Sequence, residues 1–240
     1  ITKNTKWLML NSPSNPTGAV YSFNELKAIS EVLLKHPNVL VMTDDIYEKI
    51  IYDTSKFSTI ASVEPKIKDR TLTLNGVSKA YCMTGWRLGY CGGPTDIIAG
   101  MNKIQSQSTT STSSISMAAS VEALEGNQDF IEKHNIQFKK RRDMVVEKLN
   151  KIQGLSCTAP SGAFYVYPSC VGVIGKQTPK GNTINTDEDF MNYLLDSEGV
   201  AGVHGEAFGL SPYFRLSYAT DSKTLIEACD RIERACSNLK

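Results

Sequence analysis

The chain of 240 residues carries 26 lysines and arginines against 25 aspartates and glutamates, a formal net charge of +1. This balance argues against a nucleic-acid-binding protein and against a polybasic membrane-surface protein, because both need an excess of positive charge. An apolar content of 41% is ordinary for a globular protein and too high for a disordered chain. The longest apolar runs are as long as a strand, far short of the roughly 20 residues that a membrane-spanning helix needs.

The six cysteines and three histidines show no metal-site spacing. No two cysteines form a Cys-x-x-Cys pair, and the histidines are scattered along the chain. We therefore expect no bound metal. The opening segment lacks the charged-then-apolar pattern of a secretory signal, so reduced thiols in a cytoplasmic protein are the favoured interpretation.

The first half of the chain alternates short apolar runs with helical patterns. Ser22 and Glu25 have the spacing of a capping box and predict the start of a helix that continues to about residue 35. A second helix is predicted at residues 95–105. The predicted strands lie at residues 7–10, 39–43, 71–75 and 88–91. Strands separated by helices indicate an α/β fold with a mainly parallel sheet flanked by helices.

The second half begins with a long helical pattern at residues 115–152, interrupted near Gly126. Its basic run, residues 139–142, is interpreted as a solvated helix face and not as a nucleic-acid patch. Short strands then mix with helices; the strands are predicted at residues 155–158, 163–167 and 213–219, and the helices at 187–197 and 222–238. This change of pattern predicts a large α/β domain at residues 1–128 and a smaller α+β domain at residues 129–240.

The segment GVSKAYCMTGWRLGY, residues 76–90, carries the strongest chemical signal. Lys79 lies just past the end of a predicted buried strand, among small residues that allow a bulky group to approach closely. Arg87 can serve as a fixed clamp for a phosphate group. The segment resembles the lysine motif of the class I, fold type I, pyridoxal-phosphate-dependent aminotransferases, and every position from Gly76 to Gly89 fits that pattern.

This resemblance implies that Lys79 holds pyridoxal 5'-phosphate as a Schiff base and that Ser78 and Arg87 bind the cofactor's phosphate. Some members of the family have serine at the position of Gly76, three residues before the lysine, and this chain departs from them there.

Further segments match the family in the same order along the chain. The segment DDIY ends a predicted buried strand, where an acid is well placed to face a ligand crevice. An acid opposite a pyridine nitrogen keeps the ring protonated and electron-withdrawing. The family's D-x-x-Y spacing assigns this role to Asp44 rather than Asp45, and it assigns Tyr47 to the cofactor's phenolic oxygen. Taken alone, Asp44 also fits a helix N-cap.

Three segments are assigned to cofactor and substrate contacts by the same resemblance. In NSPSNPTG, Asn15 bonds the cofactor's phenolic oxygen and contacts the substrate. In YFRLSYAT, Arg215 grips the substrate α-carboxylate. In GAFYVYP, Phe164 contacts the substrate. Each segment by itself also fits a structural role: a proline-rich turn, a salt-bridged strand arginine and an ordinary strand start.

The resemblance is greatest to bacterial aspartate aminotransferases. It implies ping-pong transamination of aspartate and 2-oxoglutarate to oxaloacetate and glutamate, with Lys79, Asp44 and Tyr47 as catalytic residues and Lys79 as general base and acid. The expected partners are a small amino acid, a 2-oxo acid and a second subunit in a homodimer. Three alternatives remain: an aromatic or prephenate aminotransferase, a C–S lyase of the same fold, or a binding module of that fold without turnover.

Complete members of the family are longer than this chain. The resemblance implies that the chain is the carboxyl-terminal portion of such an enzyme. The aromatic residue that stacks on the cofactor ring and the Gly/Ser phosphate-binding turn have no counterpart in it. We therefore expect the 240 residues alone to be inactive.

Overall fold

A computed structural model describes residues 1–53 and 55–240. The described chain divides into two compact units. One consists of Ile1–Ser14 and Ala19–His134, and the other of Asn15–Gly18 and Asn135–Lys240. The division at Asn135 lies inside a long helix. The predicted boundary after residue 128 stays a prediction.

The first unit contains a four-stranded sheet in the order β1-β2-β3-β4. Its strands are β1 (Trp7–Asn11), β2 (Leu40–Asp44), β3 (Thr71–Gly76) and β4 (Gly89–Gly92). The first three strands run parallel, as expected, with Asn11 opposite Asp44 and Asp44 opposite Leu74. The carboxyl ends of β1, β2 and β3 therefore lie at one edge of the sheet.

Strand β4 is antiparallel to β3, with Gly76 opposite Gly89. Parallel pairing, expected from strands separated by helices, is wrong for this strand. The connection from β3 to β4 contains only a short 3-10 helix, Thr84–Trp86, and no crossover helix. A chain that turns back without a crossover returns antiparallel to the strand it left.

Among the described residues of this unit, the sheet is accompanied by the helices α1 (Phe23–Leu34), α2 (Ile60–Val63), α3 (Thr95–Ser106) and α4 (Ser114–Glu125). The predicted capping box of α1 is confirmed. The Ser22 side chain accepts from Glu25 N, and the Glu25 carboxylate accepts from Ser22 N at 2.8 Å. Leu26 and Leu33 of α1 pack with Val41 of β2 in the core of this unit.

Arg70 joins the end of α1 to the start of β2. Its guanidinium donates to the carbonyl oxygens of Leu33 at 2.7 Å, of His36 at 3.0 Å and of Val39. The last carbonyls of a helix lack partners inside the helix, and Arg70 adds a side-chain donor to the carbonyls at this helix end and in the turn after it. Burial lowers the pKa of Arg70 from its ordinary value.

The second unit contains a three-stranded antiparallel sheet and three helices. The sheet order is β5-β7-β6, with β5 (Tyr165–Val166), β6 (Val203–His204) and β7 (Phe214–Ser217). The helices are α5 (Asp129–Lys151), which begins in the first unit, α6 (Asp187–Glu198) and α7 (Ser222–Ser237). The strand predicted at residues 155–158 is reduced to a single bridge between Ser156 and Ser169.

The basic run on α5 is not uniformly solvated. Arg142 is only 5% exposed, and its Nη1 donates to the carbonyl oxygen of Pro160 at 2.8 Å. The interpretation of the run as a solvated face is therefore wrong for Arg142, which anchors the loop before β5.

No helix in the described part of the chain is both long enough and apolar enough to cross a membrane. Residues 1–53 and 55–240 also contain no cluster of three or more histidine, cysteine or acidic side chains that could hold a metal ion.

Candidate active site

The carboxyl ends of the parallel strands carry the first group of candidate residues. Asn11 ends β1, and its Nδ2 donates to the backbone carbonyl of Asp44 at 3.1 Å. Asp44 ends β2, and the loop after β3 carries Lys79. This edge of an open α/β sheet is where ligands commonly bind, because the loops that follow the strands converge there.

The adjacent acids Asp44 and Asp45 differ in their surroundings. Asp45 is 2% exposed and accepts a hydrogen bond from the Thr43 hydroxyl at 2.6 Å. Burial raises the pKa of Asp45 above its ordinary value. Asp44 is half-buried, and its Oδ1 accepts from Ile46 N at 3.2 Å. Asp45 is thus held inside the fold, whereas Asp44 keeps an accessible carboxylate at the strand end.

Lys79 and Tyr47 lie next to each other in the first unit. The Lys79 Nζ is 5.6 Å from the centroid of the Tyr47 ring, within the range of a cation–π contact. Tyr47 is 3% exposed, and its carbonyl accepts from Ile50 N in the turn that follows β2. A buried ring therefore supports a half-buried lysine amine, which limits the positions that the amine can reach.

The lysine loop is held by bonds between its own residues. The Thr84 hydroxyl donates to the Ser78 carbonyl at 3.1 Å, and Arg87 Nη1 donates to the Thr84 carbonyl at 3.1 Å. Arg87 is exposed and has a left-handed backbone conformation, φ 53°. The loop thus connects Ser78 to Arg87, the two residues predicted to bind phosphate.

Gly76 allows the two strands that flank this loop to approach closely. A Cβ atom at Gly76 would lie 3.1 Å from the Leu88 carbonyl oxygen and 3.3 Å from the Gly89 Cα. Any larger residue would press against the backbone of β4. Gly76, where some family members have serine, therefore lies at a point where β3 and β4 pair closely.

The second unit brings together Asn15 and Arg215, which are 200 residues apart in the sequence. Arg215 Nη1 donates to Asn15 Oδ1 at 2.7 Å. Because a guanidinium can only donate, the amide must present its oxygen to Arg215 and its Nδ2 elsewhere. Asn15 is thus oriented with its donor group directed away from the arginine.

The turn that carries Asn15 is anchored in the same unit. Gly162 N donates to the Gly18 carbonyl at 2.9 Å. Gly18 has φ +68°, and a Cβ atom there would clash with Pro160 and with the Gly162 carbonyl at 2.7 Å. Only glycine fits both the left-handed conformation and this close approach.

Two aromatic rings accompany the Arg215 guanidinium. Its Cζ lies 4.8 Å from the centroid of the Tyr165 ring and 5.2 Å from that of Phe208. Sequence reasoning missed both. Tyr165 lies inside the GAFYVYP segment, which is already assigned to a substrate contact, so that motif could have indicated Tyr165 as well. Phe208 lies in no recognised motif.

Phe164, predicted as a substrate contact, lies in an aromatic cluster. Its ring centroid is 5.6 Å from that of Phe138 and 4.8 Å from that of Tyr165. Its role at the substrate stays a prediction.

The family model for aminotransferase class I and II matches residues 1–232. The chain belongs to this family. The resemblance seen in the lysine motif is thereby confirmed, and so is the α/β fold class with a mainly parallel sheet, which solved aminotransferase structures share.

Named relatives of this family cover the whole chain. The "Probable aspartate/prephenate aminotransferase" of Rhizobium leguminosarum bv. phaseoli is 58% identical over 240 residues. The "Aspartate aminotransferase" of Rhizobium meliloti (strain 1021) is 56% identical over 239 residues. The crystal structure of the aspartate aminotransferase from Rhizobium meliloti, 55% identical, superposes with a TM-score of 0.97 and covers all of this chain.

The chain spans 60% of the first of these relatives, 58% of the second and 60% of the crystallised chain. This coverage fits a chain shorter than complete members. Its assignment to the carboxyl-terminal portion stays a prediction.

Membership of this family implies pyridoxal phosphate as cofactor, and the donor set of the first unit fits that group. The strand-end edge offers a lysine amine, a half-buried carboxylate, a phenol, a hydroxyl and a guanidinium, carried by Lys79, Asp44, Tyr47, Ser78 and Arg87. These groups match in kind the aldehyde, ring nitrogen, phenolic oxygen and phosphate of the cofactor.

Proposed function

We propose that the protein containing this chain is a pyridoxal-phosphate-dependent aminotransferase that exchanges amino groups between aspartate and 2-oxoglutarate. The observation that carries the proposal is the placement of Lys79. Its amine lies over the Tyr47 ring in the loop that follows β3, and Asp44 ends the neighbouring strand of the same sheet. When bound, pyridoxal phosphate supplies an aldehyde for amines to condense with and an electron-withdrawing ring.

In this proposal Lys79 moves the proton. As general base, its amine takes the proton from the substrate Cα. As general acid, it then gives that proton to the C4′ carbon of the cofactor. The Tyr47 ring beneath the amine restricts the arc through which Nζ swings. Proton transfer needs donor and acceptor at hydrogen-bond distance, so this restriction favours productive positions over unproductive ones.

Asp44 holds charge opposite the ring nitrogen. Its carboxylate is fixed by the bond from Ile46 N and stays half-exposed. A fixed carboxylate keeps a proton on the ring nitrogen, which increases the ring's capacity to withdraw electrons. The buried neighbour Asp45 is engaged with Thr43 and is not assigned to this role.

Arg215 and Asn15 act on the substrate and on the phenolic oxygen. The Arg215 guanidinium binds the α-carboxylate as a bidentate fork. Arg215 holds the Asn15 amide with its oxygen toward the guanidinium. The family resemblance assigns the Asn15 amide, and separately the Tyr47 hydroxyl, to the phenolic oxygen of the cofactor. Ser78 and Arg87 bind the phosphate. We also propose, from the family resemblance, a cytoplasmic homodimer.

The printed names of several relatives favour a second amino acceptor. Proteins named aspartate/prephenate aminotransferase are 58% and 54% identical to this chain. Prephenate, which carries a 2-oxo acid group and a second carboxylate, is therefore the second candidate acceptor.

The test is a substrate panel on the full-length protein. The wild type should transaminate aspartate with 2-oxoglutarate. Activity with prephenate in place of 2-oxoglutarate would show that prephenate is also an acceptor. Arg215→Gln should lower kcat/KM by about 30-fold or more, because one partner of a charge pair is lost. Arg231→Gln is the matched control, since Arg231 pairs with Glu227 at the surface of α7. A wild-type protein that transaminates neither acceptor, or an Arg215→Gln variant as active as wild type, would contradict the proposal.

A further inference from the structure

Asp187, the first residue of α6, is buried with an unusual set of partners. It is 1% exposed. Its Oδ2 accepts from three backbone N–H groups: Gly205 at 3.0 Å, Glu206 at 3.2 Å and Tyr213 at 3.2 Å. Its Oδ1 has no hydrogen-bond partner among the described residues.

Capping of α6 does not explain this carboxylate. The cap is made by Thr186, whose hydroxyl accepts from Asp189 N, and by Asp189, whose carboxylate accepts from Thr186 N at 3.0 Å. Burial of a carboxylate with one unpartnered oxygen is unfavourable, so an apolar residue would serve better if only packing were needed. The three donors that Asp187 binds indicate its role.

These donors lie at the two ends of the loop between β6 and β7. Gly205 and Glu206 begin a 3-10 helix, Gly205–Phe208, and Tyr213 directly precedes β7. Asp187 therefore ties the start of the loop to its end. The Tyr167 hydroxyl holds the loop from another side, because its single hydrogen is shared between the carbonyls of Gly205 at 3.2 Å and Leu210 at 3.1 Å.

The loop fixed in this way presents Phe208 to Arg215. The Phe208 ring lies 5.2 Å from the Arg215 Cζ, and Phe208 also packs edge-on against Tyr167. Arg215 lies two residues after Tyr213. The Tyr213 ring stacks on the Tyr167 ring, with 5.4 Å between the ring centroids. Both the backbone of Arg215 and a ring beside its guanidinium thus depend on the loop.

We propose that Asp187 is a positioning residue for Arg215: it fixes the loop between β6 and β7 so that Phe208 holds the guanidinium plane ready for a carboxylate. The inference rests on the proposed role of Arg215. A guanidinium held in one plane loses less conformational freedom when it forms a bidentate pair, which raises affinity without adding a contact to the substrate.

The test uses the full-length enzyme with aspartate as substrate and with succinate, a dicarboxylate that cannot be transaminated, as a binding probe in calorimetry. Asp187→Ala should raise KM for aspartate and Kd for succinate roughly tenfold, with kcat changed by less than about threefold, because the carboxylate is held equally in ground and transition states. Asp187→Asn keeps an acceptor oxygen and should restore most of the affinity.

Asp189→Ala is the matched control, because it removes an acid from the same helical turn without touching the loop. It should lower the thermal midpoint while leaving KM and Kd unchanged. A purely structural role for Asp187 predicts the same pattern for Asp187→Ala, and that result would overturn the inference.

Tyr167→Phe and Phe208→Leu carry the test if Asp187→Ala does not fold. Each weakens the loop or its contact with Arg215 without removing a buried charge, so each should raise KM and Kd. Unchanged values in both would overturn the inference. If the wild type binds succinate and transaminates, and Asp187→Ala has the wild-type KM for aspartate and Kd for succinate, this inference alone is contradicted. Inactive wild type contradicts the proposed function and the inference with it.

Discussion

Neighbouring residues of the same type have different surroundings in this protein, and Asp44 and Asp45 are the clearest case. Asp45 is 2% exposed and bonded to Thr43, whereas Asp44 is half-buried at the end of β2. The family's D-x-x-Y spacing predicts that Asp44, and not Asp45, faces the cofactor. The structure supplies an independent reason for that choice, because a buried acid engaged by its own strand is poorly placed to meet a ligand.

Substitution of Asp44 should therefore affect activity much more than substitution of Asp45. Asp44→Ala should lower the transamination rate by roughly 10³-fold or more, since the ring nitrogen loses its charge partner. Asp45→Asn, the matched control, should keep most of the activity. Steady-state kinetics of the two variants measures this. If Asp45→Asn were the inactive variant and Asp44→Ala the active one, the assignment would be reversed.

Asp45 should instead make stability depend on pH. Burial raises the pKa of its carboxyl, so the folded state keeps the proton to a higher pH than the unfolded state does. The free energy of unfolding then falls as the pH rises from the ordinary aspartate value of about 3.9 through the raised value. Asp45→Asn removes this titration and should lose less stability across that window. Thermal midpoints measured against pH test it; parallel curves for variant and wild type would contradict it.

At the scale of elements, the pairing of β3 with β4 depends on Gly76. A Cβ atom there would lie 3.1 Å from the Leu88 carbonyl, whereas one at Gly100, inside α3, meets nothing within 4 Å. Gly76→Ala should lower the free energy of unfolding by about 1–3 kcal/mol through overpacking. Gly100→Ala should raise it by about 0.5–1 kcal/mol, because alanine favours the helix. Denaturation of both variants measures the difference, and equal stabilities would contradict it.

Local patterns predicted local elements well. The capping box at Ser22 and Glu25 fixed the start of α1, and apolar runs placed β1, β2 and β3 within a residue or two. The antiparallel direction of β4 was missed because strand direction depends on the connection and not on the strand's own residues. The burial of Arg142 was missed because its partner, the Pro160 carbonyl, is 18 residues away.

The candidate site shows the same limit. Lys79, Asp44 and Arg215 could be predicted because each lies in a contiguous motif, and their roles stay predictions. Phe208 and Asp187 were not found, since their significance lies in contacts with residues distant in sequence. Three acids in the first turn of α6 are typical of any helix start, so the pattern alone indicates only a favourable charge at the helix N-terminus.

At the scale of the whole molecule, much apolar surface is exposed in the first unit. Helix α3 has no buried residue, and Ile104 is 74% exposed. On α4, Ile115 is 72% exposed and Val121 53% exposed. Helices in proteins gain most of their stability from packing an apolar face, and α3 and α4 leave large apolar side chains exposed within the described chain. An uncovered surface of this kind favours association.

The 240 residues expressed alone should therefore associate and should not transaminate. The chain spans about 60% of its relatives, and the resemblance places the residue that stacks on the cofactor ring outside it. Light scattering coupled to size exclusion, together with an aspartate–2-oxoglutarate assay, measures both properties. A monodisperse monomer with full activity would contradict this expectation.

The proposed transamination depends most directly on Lys79. The full-length protein, loaded with pyridoxal phosphate and reduced with borohydride, should carry the cofactor covalently on the peptide that contains Lys79, as peptide mapping by mass spectrometry would show. Lys79→Arg, which keeps the positive charge over the Tyr47 ring, should carry no label and should not transaminate. Label on another lysine with Lys79 unmodified, or full turnover by Lys79→Arg, would contradict the account.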